Sequence, residues 1–344
     1  MSSTWQFVIS AGTALLAGMC LAATGVLQQR AARRRPSDER MSAQLLVKLA
    51  QNKWWLAGIG VAVLSYAFQA VALSTGPLSL VQPLIVSELL FAIPVSTHLR
   101  GRKLTWRDWA AVSTVVVGLT IGIIAANPKR GNPLQPFSLW GWALLAVGVI
   151  VVASVLVARV VNGPVKASMF ALAGASTMGT QSALFSSTIA MLRGDIPHTF
   201  TSWQPYALIV ASFLGLYLVQ NAYQAGPLAA SMPVMDASLP LVSIGLGIGL
   251  FGDAVRTSWW GLTGAGVGIL LLVVGIVGLD TSPSVRRQDE AEQQESEQQE
   301  SPDSASQECA SQGADAQRAA APGADSVLDW SGGRREQPSG ADLA

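Results

Sequence analysis

Residues 76–88, GPLSLVQPLIVSE, form the segment from which the architecture of this chain is best predicted. It predicts a tight turn and then a helix that is broken by Pro83 and carries one carboxylate, Glu88, within apolar sequence. A second stretch, GPLAASMPVMD, contains Pro233 and ends at Asp236. The two Gly-Pro-Leu motifs are 150 residues apart, and so are the two prolines. We therefore expect two related broken helices, each with one acidic residue.

The composition is typical of a polytopic membrane protein. The chain of 344 residues is 50% hydrophobic and 12% charged, against about 25% charged in soluble domains. Apolar runs of roughly 20 residues match the ~30 Å hydrocarbon core of a bilayer. The sequence predicts an all-α bundle of nine transmembrane helices, at residues 6–27, 54–74, 78–98, 108–126, 138–158, 167–191, 206–225, 228–250 and 259–279.

The chain divides into two parts. Residues 1–280 contain the apolar runs and are predicted to form the transmembrane domain. Residues 281–344 are rich in Gln, Glu, Ser, Ala and Gly. Such sequence buries too little apolar surface to offset the conformational entropy lost on folding, so we expect a disordered polar tail.

The distribution of Lys and Arg predicts the orientation. With the N-terminus outside, the segments on the cytoplasmic side contain 15 of these residues and the outer loops contain 4. Cytoplasmic loops of membrane proteins carry an excess of Lys and Arg. We therefore expect a multi-pass protein of the plasma membrane with its N-terminus outside and its C-terminus in the cytoplasm.

A shift of 150 residues also aligns longer parts of the chain. Residues 66–124 share nine identities with residues 216–274, and the span boundaries align too. This predicts two repeat units, at about 54–126 and 206–279. The units are offset by five spans, an odd number, so they would enter the membrane from opposite sides. Inverted repeats of this kind are typical of secondary transporters, whose substrate site lies at the repeat interface near the bilayer midplane.

The two acidic residues are predicted to meet at mid-membrane. Glu88 lies ten residues into its span and Asp236 lies eight residues into its span, which correspond to depths of about 15 Å and 12 Å from opposite surfaces. A charged group there costs on the order of 2.5–3.5 kcal/mol unless it faces a cavity or a partner. We expect Glu88 and Asp236 to bind a cation, either a metal ion or a proton. The alternative is a protonated acid that only stabilises helix packing.

Four uncharged polar residues are predicted to line the path beside these acids, because lipid offers them no hydrogen-bond partners. They are Gln69, Gln82, Gln181 and Asn221. Pro83 and Pro233 would each free a backbone carbonyl one turn earlier. Such a carbonyl is either a substrate ligand or a simple consequence of a kink.

Two GxxxG spacings lie on the fourth and ninth predicted spans. They are Gly118 with Gly122, and Gly264 with Gly268. Small residues at this spacing permit close helix contact. We expect packing within the bundle, and a homodimer interface is the alternative.

Motifs of soluble enzymes are absent from the sequence or out of context. The segment GIGLFG, residues 247–252, fits GxGxxG but lies within an apolar span without a βαβ unit. There is no Walker-type lysine loop, which argues against an ATP-driven pump. We expect no enzyme activity, no cofactor and no nucleic-acid partner.

At this level the sequence resembles the drug/metabolite transporter superfamily (EamA-like). The resemblance rests on the two Gly-Pro turns, the prolines that follow them and the inverted halves. The first half is similar to the NIPA-type magnesium transporters, on the segments WWLAG at residues 54–58 and PLSLVQP at residues 77–83, the basic stretch after the third span and the total of nine spans. It implies a secondary transporter with magnesium as a candidate substrate.

The leading hypothesis is a secondary transporter that works by alternating access. Its substrate would be magnesium, bound by two carboxylates and further oxygen ligands, or a small metabolite carried with protons. The competing hypothesis is a non-transporting scaffold or lipid-handling membrane protein whose tail recruits partners.

Overall fold

The apolar runs form helices throughout the residues that the computed structural model describes, which are 3–32, 53–99, 105–226 and 228–281. Within these ranges the only β-structure is an isolated bridge between Lys129 and Ala254. The predicted tail, apart from its first residue, lies outside the described residues. The helices are α1 (Ser3–Ala32), α2 (Lys53–Thr75), α3 (Leu78–Ile85), α4 (Glu88–Leu99), α5 (Trp106–Ala126), α6 (Phe137–Val160), α7 (Gly163–Gly194), α8 (Ile196–Thr201), α9 (Gln204–Ala225), α10 (Leu228–Gly249) and α11 (Trp259–Asp280).

Seven of these helices are long and apolar enough to cross a membrane: α1, α2, α5, α6, α9, α10 and α11. In each of them only 17–33% of the most apolar segment is buried inside the protein, so most of its surface is available to lipid. The described chain therefore has the architecture of a multi-pass helical membrane protein. All nine predicted spans coincide with helical segments, but two of them do not lie in helices that are long and apolar enough to cross a membrane by the same measure.

Those two spans differ from the others for separate reasons. The predicted span 78–98 is divided into α3 and α4, and neither part reaches the length of a membrane crossing. The predicted span 167–191 lies within α7, whose middle is rich in Ser, Thr and Gly. Fifteen residues of α7 are buried. This helix is therefore surrounded mainly by other helices, whereas the seven long apolar helices leave most of their surface available to lipid.

The break after Pro83 is confirmed, whereas the predicted break at Pro233 is wrong. Both prolines occupy the sixth position of their helices, but α3 ends two residues later and α10 continues to Gly249. A proline removes one backbone N–H from either helix. After Pro83 the N–H groups of Ser87, Leu89 and Leu90 bond carbonyls three residues earlier, and these tight turns separate α3 from α4. The helix α10 continues without such an interruption after Pro233.

We call the end of the bundle at which α2 finishes its upper end. Arg130, in the loop after α5, and Arg193, in the last turn of α7, both donate hydrogen bonds to Ser74 O in the last turn of α2. The helices α5 and α7 therefore also finish there. The backbone N–H of Arg256, just before α11, donates a 2.8 Å hydrogen bond to Ala126 O. Since α11 begins where α5 ends, these two helices run in opposite directions.

The helices α5 and α11 pack through their glycines. A Cβ atom added at Gly118 would lie 2.6 Å from Leu272 N, and one added at Gly268 would lie 2.4 Å from Gly122 Cα. Such distances are too short for a side chain, so the two backbones approach as closely as glycine permits. Packing of these glycines within the bundle is thus confirmed. A homodimer stays a prediction.

Trp140 departs from the position expected for a tryptophan at the edge of a span. Such residues usually lie at the level of the lipid headgroups, and Trp142 is 73% exposed. Trp140 is fully buried, with its ring centroid 5.3 Å from that of Trp203 and 6.0 Å from that of Phe251. Its ring joins the first turn of α6 to the loop before α9 and to the loop after α10.

Candidate functional site

A cavity of about 190 Å³ lies in the bundle, between the α3–α4 break and helices α1, α2, α7 and α10. It brings together five of the six predicted site residues, from three separate parts of the sequence. Its lining comprises Gln69, Gln82, Glu88, Gln181 and Asp236, together with Leu21, Tyr66, Ile85, Val86, Leu89, Met178, Ser182, Phe185 and Leu239.

The break in the third predicted span positions Glu88. The backbone N–H of Ser87 bonds Leu84 O at 3.1 Å, and that of Leu90 bonds Ser87 O at 2.9 Å, so the chain tightens into three-residue turns there. Glu88 is the first residue of the helix that follows. A carboxylate in the first turn of a helix is stabilised by the unpaired N–H groups of that turn.

Asp236 reaches the same cavity from a different helix. It lies on the uninterrupted α10, and both acidic side chains are half-buried. The two groups are close enough for their charges to interact. Among the described residues that line the cavity there is no Lys or Arg. Two carboxylates without a cationic side chain can be neutralised by protons or by a bound cation.

Gln82 provides an unsatisfied polar group beside these acids. The residue is 2% exposed, and its Nε2 atom has no hydrogen-bond partner in the described part of the chain. A buried polar group without a partner costs about 1–3 kcal/mol. Because Gln82 lines the cavity and Nε2 is a hydrogen-bond donor, an ordered water or a ligand with an acceptor atom there would satisfy this group.

The helix α1 approaches the break closely through a glycine that sequence reasoning missed. A Cβ atom added at Gly18 would lie 2.9 Å from Ile85 O and 3.3 Å from Ser87 Oγ. Ser87 Oγ is itself buried without a hydrogen-bond partner among the described residues. The signal available in the sequence was one glycine within an apolar run, which does not specify a contact.

Asn221 is not among the residues that line the cavity. Its Nδ2 atom donates a 2.7 Å hydrogen bond to Tyr217 O, one turn earlier in α9. A polar side chain in an apolar helix can satisfy itself on its own backbone in this way. The helix α9 packs mainly against α7.

Sequence reasoning also missed Asp253, in the loop after α10. Its Oδ2 atom accepts hydrogen bonds from Ser79 N at 3.1 Å and Ser79 Oγ at 2.8 Å, and its Oδ1 atom accepts one from Gly131 N at 2.9 Å. The residue is 3% exposed. Asp253 thus joins the start of α3, the loop after α5 and the loop after α10 at the upper end. Asp253 lies outside every predicted span, and the acidic residues were identified by their predicted depth within a span, so this criterion could not detect it.

The donor set of the cavity is made of oxygen and amide groups. In the described ranges no three His, Cys, Asp or Glu residues cluster as they would around a transition metal. Two carboxylates with glutamine carbonyl oxygens suit a hard cation such as Mg²⁺, which keeps several of its waters.

The chain has a relative among known proteins. Over 276 residues it is 30% identical to an uncharacterized protein of Corynebacterium glutamicum, and the match covers 79% of this chain and 94% of that protein. No protein-family model matches the chain, and no solved structure does. The resemblance to the drug/metabolite transporters therefore stays a prediction. An identity of 30% over nearly the whole of the Corynebacterium protein shows that the chain belongs to the same family as that protein.

Proposed function

We propose that this protein is a secondary transporter that moves a small solute or cation across the plasma membrane by alternating access. One observation carries the proposal: Glu88 and Asp236, together with three glutamines, line a single cavity inside a bundle of membrane-crossing helices. Acidic residues at such a depth are rare in membrane helices and mark ion or proton pathways.

The two carboxylates define the chemistry of the site. Two negative charges in one cavity of low dielectric repel each other, so the site retains a proton or a cation. Exchange of one for the other would couple solute movement to a proton gradient. Magnesium would be bound by Glu88 and Asp236, with the carbonyl oxygen of Gln82 and water completing its shell. A metabolite carried with protons would use the same two acids.

Alternating access requires two halves that can exchange roles. We infer nine membrane crossings, with α3 and α4 together forming one and α7 another, and two inverted units at about 54–126 and 206–279. Gly118 on α5 and Gly268 on α11 occupy equivalent positions in the two proposed repeat units. Gly118 packs against α11 and Gly268 packs against α5, as a two-fold axis between these helices would require. The resemblance to the drug/metabolite transporters and to the NIPA-type magnesium transporters supports the same interpretation.

The hydrogen bonds of Asp253 favour a state in which the upper end is closed. With the N-terminus outside, as the distribution of Lys and Arg predicts, the upper end faces the exterior. The start of α3, which belongs to the first unit, is then held to the loop after α10, which belongs to the second. Opening to the outside would break these bonds.

Flux measurements in proteoliposomes test the proposal. One set of vesicles contains a Mg²⁺-sensitive dye under a Mg²⁺ gradient, and the other contains a pH-sensitive dye with candidate metabolites outside. We expect one of these fluxes in the natural protein and its loss in Glu88→Gln. A chain truncated after Thr281 should keep the flux. The scaffold hypothesis replaces this one if two results are found together. The natural protein shows neither flux, and in cells the truncated chain fails to replace the natural protein whereas Glu88→Gln replaces it.

A further inference from the structure

Two arginines converge at the upper end, outside the cavity described above. Arg193 Nη1 donates a 2.9 Å hydrogen bond to Ser74 O, and Arg130 Nη1 donates to the same oxygen. The two guanidinium groups are therefore held next to each other although both are positively charged. They come from distant parts of the chain, the loop after α5 and the end of α7.

The shared carbonyl uses little of their bonding capacity. A guanidinium has five N–H donors, and Ser74 O takes one from each arginine. Arg130 and Arg193 are both exposed, so their remaining donors are accessible. A single neutral acceptor at a helix C-terminus compensates only a fraction of two full charges.

The acidic side chain of Asp253 compensates only part of this charge. It is near enough to Arg130 for the two charges to attract, but its hydrogen bonds come from Ser79 and Gly131, and one carboxylate offsets at most one of the two positive charges. Partial burial and the neighbouring Arg193 lower the pKa of Arg130 below its ordinary value. The arrangement thus holds excess positive charge that a bound anion would relieve.

The arginines line a pocket that can accept such an anion. The pocket has a volume of about 550 Å³ and is formed by residues 130–134 with the end of α7. Asn132 also lines the pocket, and its Oδ1 atom already accepts a 2.9 Å hydrogen bond from Leu134 N. Two guanidinium groups beside one opening can bind the oxygens of a phosphate through their paired N–H donors.

We propose that Arg130 and Arg193 form a binding site for a phosphate group at the upper end of the bundle, separate from the cavity that contains Glu88 and Asp236. The phosphate could belong to an anionic lipid headgroup or to a soluble phosphate compound, since both present the same oxygens. The site does not depend on transport, so it goes beyond the function proposed above.

The test uses the full chain and two phosphate sources. Inorganic phosphate is added to detergent-purified protein and the shift in its thermal unfolding midpoint is measured, with chloride at equal ionic strength as reference. Phosphatidylglycerol retained by the protein is counted by native mass spectrometry. The variant Arg130→Gln/Arg193→Gln is compared with Lys129→Gln, which removes an adjacent charge outside the pocket.

We expect at least one source to bind the natural protein and Lys129→Gln alike, and its affinity to fall about tenfold or more in the double variant, since charge-assisted hydrogen bonds to both arginines are lost. Binding of inorganic phosphate would identify a soluble ligand, and binding of phosphatidylglycerol alone would identify a lipid. If the double glutamine variant does not fold, Arg130→Lys/Arg193→Lys should keep the fold and bind more weakly. Binding of neither source, or equal binding by natural and substituted proteins, would overturn the proposal.

Discussion

Ser79 Oγ donates a 2.8 Å hydrogen bond to Asp253 Oδ2. The bond joins the first turn of α3 to the loop after α10, which are 174 residues apart in the sequence. The same carboxylate oxygen also accepts from the backbone of Ser79, and its second oxygen accepts from Gly131. One buried carboxylate therefore determines how three segments meet at the upper end.

Loss of this carboxylate should destabilise the protein strongly. Asp253→Ala leaves three donors without their acceptor, and we expect a loss of roughly 3 kcal/mol or more, because hydrogen bonds to charged groups are worth about 1.5–3 kcal/mol each. Thermal unfolding of the purified variants measures the effect. Asp195→Ala is the control, since Asp195 makes one 3.3 Å cap bond to His198 N in an exposed turn. Equal shifts of the two midpoints would contradict the role of Asp253.

A side chain introduced at the centre of the contact between α5 and α11 should destabilise the protein. Gly118→Ala would place a Cβ atom 2.6 Å from Leu272 N, so the backbones must separate, at a cost of about 1–3 kcal/mol. Gly148→Ala on α6 meets nothing within 4 Å and should be neutral or stabilising, since Ala favours helix over Gly by about 1 kcal/mol. Thermal unfolding midpoints would separate the two. A stable Gly118→Ala variant would show that the helices are less tightly packed.

The helices themselves could be predicted from the sequence, because long apolar runs have few alternatives in a bilayer. The proline in each motif predicted a helix break. This prediction was correct for Pro83 and wrong for Pro233. A proline removes one hydrogen bond in either helix, yet the helix is interrupted after Pro83 and continues after Pro233. The motif alone does not contain that information.

The cavity could be predicted in part. Glu88, Asp236 and three glutamines were identified because buried polar groups in apolar helices need partners, and those on α2, α3, α4, α7 and α10 do face one space. Asn221 could not be distinguished from them, because a bond to Tyr217 O satisfies it locally. Asp253 was missed since nothing in a loop sequence shows that a carboxylate is buried.

Truncation of two neighbouring tryptophans of α6 should destabilise the protein to very different extents. Trp140 is fully buried against Trp203 and Phe251, so Trp140→Ala should cost about 3–5 kcal/mol through the cavity it leaves. Trp142 is 73% exposed, and Trp142→Ala should change the stability of the protein by much less. Thermal unfolding in the same detergent compares them. A larger loss for Trp142→Ala would show that the interior side of α6 is assigned wrongly.

Gln82 should be dispensable for stability and necessary for function. Gln82→Met keeps the length of the side chain and removes an unpaired buried amide, so we expect an unchanged or higher unfolding midpoint. Flux in proteoliposomes should fall, because the cavity loses a ligand. Gln220→Met is the control, since Gln220 is exposed on α9. Unaltered flux in Gln82→Met would remove this residue from the site.

Glu88 and Asp236 are proposed to act together as one cation or proton site. The most direct test is flux in proteoliposomes for Glu88→Gln, Asp236→Asn and the double variant, with Asp195→Asn as a control outside the cavity. We predict that each single variant loses flux about tenfold or more and that the double variant is no worse, because residues that act as a unit are not additive. If either single variant is folded and reconstituted and keeps the natural flux, Glu88 and Asp236 do not form one joint site.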